Sequence, residues 1–149
     1  MTTVHEMLDS KGRDVWSIAP ESLIYDAVEL MEQKEVGALT ILDQGQRLIG
    51  IVSERDCARK VILDNKPSRE TQVADIMTKA VISVDEETTV DECMALMASN
   101  KIRHLPVMQD DSLIGIIAVG DVLKWIIREQ SAVIEELENY VKDETGGSG

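Results

Sequence analysis

Ser53 and Asp56 stand where a short apolar run, ending in Ile51 and Val52, gives way to a segment with apolar residues at helical spacing. We expect a strand there, followed by a helix that Ser53 caps. The N–H groups at a helix start attract phosphate, and a carboxylate beside them suits the two hydroxyls of a ribose. Taken alone, the pair is better explained as a cap and a first-turn acid, which the helix dipole favours.

The same pattern recurs in the second half of the chain, at residues 115–121, again preceded by Leu-Ile and followed by an apolar helical run. Other positions match at an offset of 66 residues, as Val15 and Val81 do (81 − 15), and the offset is 65 after the hairpin (115 − 50). A surface hairpin tolerates such an indel. The chain therefore contains an internal repeat, with two related halves.

Hydrophobic periodicity and turn residues predict the individual elements. In chain order they are a helix at 4–10, a strand at 15–18, a helix from 22 to about 37, strands at 38–42 and 47–52, a helix from 53 to about 63 and a helical turn at 73–77. Ser22 is expected to cap the second helix. The second half repeats this order, and its last helix runs from about 119 to about 140.

These elements predict a mixed α/β fold, of the α+β kind, with two βαββα repeats. Neither half is large enough to be stable by itself, so we expect the halves to pack around a pseudo-two-fold axis. The predicted division is a first repeat at 1–67 that includes the N-terminal helix, a second repeat at 68–141 with an extended C-terminal helix, and a disordered tail at 142–149.

The composition of the 149-residue chain narrows the classes of function. A net charge of −13 argues against nucleic acid or an anionic membrane as the partner. No apolar run approaches the ~20 residues of a membrane span. The N-terminus resembles neither a signal nor a transit peptide, so we expect a cytoplasmic protein. Cys57 and Cys93 are expected to be buried free thiols, and the Cys and His residues lack metal-ligand spacing.

The final helix is longer than one repeat needs. Its later apolar residues, Val133, Ile134, Leu137, Tyr140 and Val141, follow near-heptad spacing. A surplus apolar stripe either folds back over the domain or contacts a partner chain. We expect a homodimer.

Three phrases together carry a family resemblance. They are Gly-apolar-apolar-Ser-x-x-Asp at 50–56, degraded at 115–121; Val-Ala-Asp-Ile-Met-Thr at 73–78; and Ile-Arg-His-Leu-Pro-Val at 102–107. The chain resembles, over about residues 14–127, the cystathionine-β-synthase (CBS) domain family in its stand-alone tandem form, a Bateman module. The resemblance implies a non-catalytic regulatory module that binds AMP, ATP or NAD in the cleft between the repeats and signals to a partner that the sequence does not name.

The resemblance also implies a first nucleotide site. In the family, the Ser/Thr and Asp of one repeat hold ribose and phosphate, while basic residues on the middle strand of the other repeat meet the phosphate. Carried over to this chain, the first pair is Ser53 and Asp56, and the basic pair is Arg103 and His104. Arg55 is close enough in sequence to reach a phosphate. The adenine would be lined by Val15, Trp16, Ser17 and Ser22.

A second, weaker site would mirror the first. Its members would be Asp121, Thr88, Val81, Ile82 and Ala38. It departs from the family pattern, because Ala118 replaces the hydroxyl and Gly37 with Ala38 replaces the basic pair. We therefore expect this site to be empty or to take a nucleoside end without a phosphate clamp.

Other classes of function stay open at this stage. One is a structural dimerisation module with a degenerate site, and another is a weak nucleotide-hydrolysing enzyme. The sequence has no nucleophile–base pair, metal cluster or Walker-type loop that would support an enzyme. A magnesium sensor is a further alternative, which the scattered acids disfavour.

Overall fold

The protein is described by a computed structural model that covers the backbone of residues 1–146 and the side chains of residues 1–142. In chain order its elements are α1 (Val4–Lys11), β1 (Ser17–Ile18), α2 (Ile24–Lys34), β2 (Ala38–Leu42), β3 (Leu48–Ser53), α3 (Glu54–Ile62), a 3₁₀ turn (Val73–Asp75), α4 (Val90–Asn100), β4 (His104–Gln109), β5 (Ser112–Ala118) and α5 (Val119–Gly146). The predicted fold class, tandem βαββα repeats of mixed α/β type with a long last helix, is confirmed.

The first repeat forms a sheet in the order β1-β2-β3, in which β1 runs parallel and β3 antiparallel to β2. The hairpin between β2 and β3 turns at Asp43, whose carboxylate accepts a hydrogen bond from the N–H of Arg47. At the other end of the hairpin Ala38 pairs with Ser53. The start of α3 is therefore held beside the residue before β2, where the N–H of Glu54 donates to the carbonyl of Gly37.

The second repeat has the same order, but its first strand is reduced to one bridge. Val84 pairs in parallel with Val107, as Ile18 pairs with Ile41 in the first repeat. The two pairs are related by the predicted offset of 66 (84 − 18). The predicted strand from Val81 does not form, so Val81 and Ile82 lie in irregular backbone.

The segment between the repeats completes the first one. The N–H of Val73 donates to the carbonyl of Ser22, and the N–H of Ile24 donates to the carbonyl of Thr71. Thr78 bridges to Ile51 at the sheet edge. Residues 71–78, which we call the linker segment, thus close the sheet and helices of the first repeat.

Residues 2–9, which we call the leader segment, do the same for the second repeat. The N–H of Val4 donates to the carbonyl of Thr88, and the N–H of Val90 donates to the carbonyl of Thr2. These bonds match those of the linker segment at an offset of 69 (73 − 4). The two segments are related in sequence as well, Thr-Thr-Val-His-Glu-Met-Leu against Thr-Gln-Val-Ala-Asp-Ile-Met. Each repeat is therefore completed by the segment that precedes the other repeat.

The chain has two apolar cores, and each contains residues of the segment that precedes the other repeat. The first-repeat core contains buried Ile24, Ala27, Met31, Leu39, Ile41, Val52, Cys57, Val73 and Ile76. The second-repeat core contains buried Val4, Met7, Leu8, Val84, Val90, Cys93, Met97, Leu105, Val107, Ile117 and Val122. Although α1 precedes the first repeat in the chain, its buried face belongs to the second-repeat core.

The first glycine of each signature copy lies where the linker or leader segment packs against a sheet. A β-carbon on Gly50 would lie 2.4 Å from the Sδ atom of Met77, and one on Gly115 would lie 2.8 Å from a methyl carbon of Leu8. Leu8 and Met77 are equivalent positions of the leader and linker segments (77 − 8 = 69). A side chain at either glycine would displace the segment that closes its repeat.

Two further local predictions are wrong. Ser22 does not cap α2, because the N-cap is Leu23, whose N–H donates to the carboxylate of Asp26. The last helix does not end near residue 140, since α5 continues to Gly146. Residues 142–146 of the predicted disordered tail are thus helical, and residues 147–149 lie outside the described residues.

Cys57 and Cys93 are buried free thiols, as predicted. Burial raises the pKa of each thiol to about 11, and nearby acidic side chains add to the shift. Both thiols are therefore protonated and unreactive at neutral pH.

No helix among residues 1–146 combines the length and apolarity that crossing a membrane requires.

Candidate functional site

Ser53 and Asp56 are brought together at the junction of β3 and α3. Ser53 is the N-cap of α3, and its hydroxyl oxygen accepts a hydrogen bond of 3.0 Å from the N–H of Asp56. The predicted cap is therefore real. The hydroxyl keeps its own hydrogen for a second, donated bond, because this oxygen acts only as an acceptor in the cap.

The carboxylate of Asp56 is unengaged. It is half-buried, and within the described part of the chain it takes part in no hydrogen bond or salt bridge. A half-buried carboxylate without partners in a folded protein is a good acceptor for the hydroxyls of a ligand. Arg55, the next residue back, points its exposed side chain to solvent from the same helix start.

Arg103 and His104 lie at the start of β4, on the other repeat. The carbonyl of Arg103 accepts a hydrogen bond of 2.8 Å from the N–H of Val119, the mirror image of the bond between Glu54 and Gly37. His104 is half-buried and packs against Gly37, since a β-carbon there would lie 3.4 Å from its Nε2 atom. This contact joins the two repeats.

The imidazole of His104 lies within electrostatic range of four charged side chains. Burial lowers its pKa below the ordinary value of 6.5, and the positive charges of Lys11 and Arg103 lower it further. The negative charges of Asp121 and Asp56 act in the opposite direction. The charges that act on this imidazole belong to Lys11, Arg103, Asp121 and Asp56. We call these four groups, together with His104, the central cluster.

The mirror carboxylate, Asp121, is engaged from within the chain through its Oδ2 atom. One of its oxygens accepts a hydrogen bond of 2.8 Å from the N–H of Ala118 and forms a salt bridge of 2.7 Å with the ammonium of Lys11. The same ammonium donates to the carbonyl of Ile116 at 2.9 Å. The two carboxylates of the duplicated signature therefore differ, since Asp56 has no hydrogen-bond or salt-bridge partner among the described residues and Asp121 has two, both on its Oδ2 atom.

Thr88 and Ser22 occupy equivalent positions before α4 and α2. The hydroxyl of Thr88 donates to the carboxylate of Asp85, so it stabilises its own turn. The helix α4 is capped by the next residue, Thr89, whose hydroxyl oxygen accepts from the N–H of Glu92. Ser22 contributes its carbonyl to the linker segment, and its side chain is half-buried.

The residues predicted to line the adenine lie along β1 and the segment before it. The hydroxyls of Ser17 and Thr40 bond each other inside the sheet. The indole of Trp16 is 37% exposed and carries the ammonium of Lys34 at 4.2 Å from its ring centre. Val15 is half-buried. In the second repeat Val81 and Ile82 are half-buried too, and Ala38 is buried in β2.

A cavity of about 600 Å³ lies at the other end of the first sheet. It is lined by residues 17–21 and by the hairpin residues 42–46, and it shares only Ser17 with the predicted site. Because β1 and β2 run parallel, their C-terminal ends meet at this cavity, whereas Ser53 pairs with the first residue of β2. We place the candidate site at the central cluster, where the ionisable groups converge.

Lys11 is the member of the central cluster that the motifs did not identify. The sequence contains a signal for it, namely the duplication of the linker segment as residues 2–9. Once those segments are aligned, α1 must dock on the second repeat, and its last residue comes close to Asp121. Among residues 1–142, no group of three or more Cys, His, Asp or Glu side chains is arranged to hold a metal.

The chain thus consists of two βαββα repeats that carry a duplicated signature and contact each other at Gly37 and His104. The CBS domain family model matches the chain twice, at residues 10–63 and 73–128. The chain belongs to the CBS domain family, and the predicted tandem module is confirmed.

Similar proteins have the same organisation. The mitochondrial CBS domain-containing protein CBSX3 of Arabidopsis thaliana is 38% identical over 150 residues, 95% of this chain and 72% of that protein. A CBS-domain protein of Burkholderia ambifaria has a TM-score of 0.82 at 43% identity, covering 87% of this chain and 96% of its own. The structure of CBSX2 in complex with AMP has a TM-score of 0.69 at 26% identity, covering 87% and 99%.

Proposed function

We propose that this chain is a non-catalytic regulatory module that binds an adenine nucleotide at Asp56 and passes the occupancy of that site to a partner protein. The observation that carries the proposal is the unengaged carboxylate of Asp56 beside the capped start of α3. Its mirror, Asp121, is satisfied from within the chain. An open acceptor at a helix start suits a ligand that brings both hydroxyls and a phosphate.

The charges around Asp56 support the phosphate part of this proposal. Arg103 and His104 belong to the central cluster with Asp56. The net charge of −13 repels an anionic ligand from most of the surface. A local basic group is therefore needed to offset that repulsion, and the planar guanidinium of Arg103 fits phosphate oxygens bidentately.

AMP, ATP and NAD all carry the adenosine and phosphate groups that this arrangement suits. We rank AMP first as a probe, because CBSX2, a structural neighbour at 26% identity, was solved in complex with AMP. Val15, Trp16, Ser17 and Ser22 are the proposed adenine lining. The proposed location in the cytoplasm stays a prediction, and the partner protein is not identified by the chemistry of the site.

We also propose that the module acts as a homodimer. Tyr25, Val28 and Ile62 on α2 and α3 are exposed apolar side chains around a shallow cavity of about 290 Å³. Ile127 on α5, 60% exposed, is the repeat equivalent of Ile62 (127 − 62 = 65). Helices of both repeats thus expose apolar surface that a second copy of the chain can cover.

The nucleotide proposal is tested with the purified full chain. Native mass spectrometry reports any nucleotide that copurifies, and calorimetry with AMP, ATP and NAD gives affinities. Chromatography of the same mixtures reports turnover. We expect saturable binding without turnover, and Asp56→Asn should weaken it. Conversion of a nucleotide to product would make the chain an enzyme, and no binding of any of the three at millimolar concentration would contradict the proposal.

A further inference from the structure

The ammonium of Lys11 occupies the mirror site. It lies 2.7 Å from the Oδ2 atom of Asp121 and 2.9 Å from the carbonyl oxygen of Ile116. Both acceptors belong to the second copy of the signature, at the end of β5 and the start of α5. Lys11 therefore bonds, from outside the repeat, to the carboxylate that corresponds to Asp56.

The side chains in this salt bridge are partly covered, at 31% exposure for Lys11 and 26% for Asp121. Lys11 is the last residue of α1, and α1 is anchored by Val4, Met7 and Leu8, each fully buried in the second-repeat core. The ammonium is thus delivered by a docked helix. It does not reach the site as a loose surface side chain.

Among the residues that the structure describes, no cation bonds to Asp56 in this way. The linker segment takes the place of α1 in the first repeat, and the position equivalent to Lys11 is Ala80 (80 − 11 = 69). Lys79, the adjacent lysine, is exposed and forms no salt bridge within the described residues. The difference between an open Asp56 and a filled Asp121 therefore arises from the segment that completes each repeat.

We propose that Lys11 is an internal occupant of the second site, which a nucleoside must displace from Asp121 before it can bind there. The proposal rests on the proposed function for the kind of ligand. It assigns to α1 a role in specificity, because the docked helix blocks one of two otherwise equivalent carboxylates. A nucleoside competes with Lys11 for Asp121 through its ribose hydroxyls, whereas an ionised phosphate group has no hydrogen to donate to that carboxylate.

The ligand test uses adenosine as the probe and the Asp56→Ala variant, in which binding at the first site is weakened. Adding Lys11→Met keeps an unbranched apolar stem and removes the ammonium. We expect adenosine to bind the Asp56→Ala/Lys11→Met chain about tenfold more tightly than the Asp56→Ala chain, the scale of one charge-assisted hydrogen bond. Lys79→Met in the same background is the matched control and should change nothing. Adding Asp121→Ala should abolish the gain.

A second test needs no ligand. The charge of Lys11 is one cause of the lowered pKa of His104, so Lys11→Met should raise that pKa in an NMR titration, while Lys79→Met should not. If wild type binds neither AMP nor adenosine, the proposed function fails, and this titration still decides whether Lys11 occupies the site. Unchanged or weaker adenosine binding in the double variant, or an unchanged pKa of His104, overturns the inference.

Discussion

His104 and Gly37 are in contact across the two repeats, with room for a β-carbon on Gly37 at 3.4 Å from the imidazole Nε2 atom. Gly37 is the repeat equivalent of Arg103 (103 − 37 = 66). One repeat thus supplies two basic side chains, and the other supplies the small residue against which the imidazole packs. The first repeat lacks the basic pair, and the glycine that stands there instead is the residue against which His104 is buried.

The pKa of His104 should lie below 6.5, because burial and the charges of Lys11 and Arg103 disfavour the imidazolium. The unfolded chain then takes up this proton at a higher pH than the folded chain. The contribution of His104 to stability is present in full above pH 6.5 and is lost as the pH falls below it. NMR titration checks the pKa, with His5→Gln to assign the resonance, and denaturant unfolding at several pH values checks the stability.

His104→Gln is the control for that experiment. It should remove the part of the pH dependence that arises from His104 and leave the part due to carboxylates at lower pH. A midpoint for His104 at or above 6.5 in the free protein would mean that the imidazole is more exposed, or closer to Asp121, than the structure places it.

Asp56→Ala should weaken AMP binding by about 1.5–3 kcal/mol, the scale of a hydrogen bond to a charged group. Asp121→Ala should cause a much smaller loss, because its carboxylate already bonds Lys11 and the N–H of Ala118. Calorimetry on the two variants measures both losses. Equal losses would show that the two sites are equivalent and that the asymmetry has no functional weight.

For the free energy of unfolding the order of the two variants should be reversed, with the larger loss in Asp121→Ala. Asp56 has no partner to lose in the described structure, so its replacement should change the free energy of unfolding by less than about 0.5 kcal/mol. Asp121→Ala removes two partners and should cost about 1 kcal/mol. Denaturant unfolding of the ligand-free chains measures these values.

Arg103→Ala should weaken AMP binding strongly and adenosine binding hardly at all. A guanidinium binds phosphate oxygens and has no comparable partner on a neutral nucleoside. Calorimetry with both ligands at two salt concentrations checks this, and added salt should reduce the difference between the ligands. A proportional loss of both ligands would assign Arg103 a structural role.

Gly50→Ala should destabilise the chain by about 1–3 kcal/mol, the usual cost of overpacking. The new β-carbon would lie 2.4 Å from the Sδ atom of Met77 and 3.2 Å from the carbonyl oxygen of Thr78, and the carbonyl cannot move without shifting the linker segment. Gly120→Ala is the control, since a β-carbon there meets nothing within 4 Å. A loss no larger than that of the control would contradict the close packing at Gly50.

Leu137→Glu should dissociate the proposed homodimer. Leu137 is 60% exposed on α5 and continues the apolar stripe of Ile127 and Ile134. Asn139→Glu adds the same charge on the opposite side of the helix, because two residues turn a helix by just over half a revolution. Sedimentation at micromolar concentration compares the three chains. A monomeric wild type, or equal effects of the two variants, would contradict the dimer through this face.

The repeat made most of this fold predictable. Its duplicated signature located β3 and α3, and the offset of 66 relates the observed pair of Ile18 and Ile41 to the pair of Val84 and Val107. The errors lie where one residue decides a local geometry. Asp26 bonds back to the N–H of Leu23 and moves the start of α2 past Ser22, which a cap preference for Ser alone cannot anticipate.

The state of the site was less predictable than its position. The loss of the hydroxyl at Ala118 is visible in the sequence, but the filling of Asp121 is not, because Lys11 lies 110 residues away in the chain. Its approach depends on α1 docking on the second repeat instead of the adjacent first one. Long-range packing of this kind leaves only an indirect trace in sequence, here the likeness of residues 2–9 to residues 71–78.

The crossed placement of the leader and linker segments has a consequence for the unit that the chain duplicates. The first repeat and the segment that closes it are contiguous, from about residue 13 to residue 78. The second repeat and its closing segment are separated by the whole of the first, with Thr2 at one end and Val122 near the other. A circular permutant that joined the C-terminus to the N-terminus and opened the chain near residue 80 would place both closing segments directly after the repeats they complete. In the natural chain, α1 closes the second repeat but is connected to it only through the whole of the first repeat. A single cut between the repeats would therefore leave the second repeat without the segment that closes it.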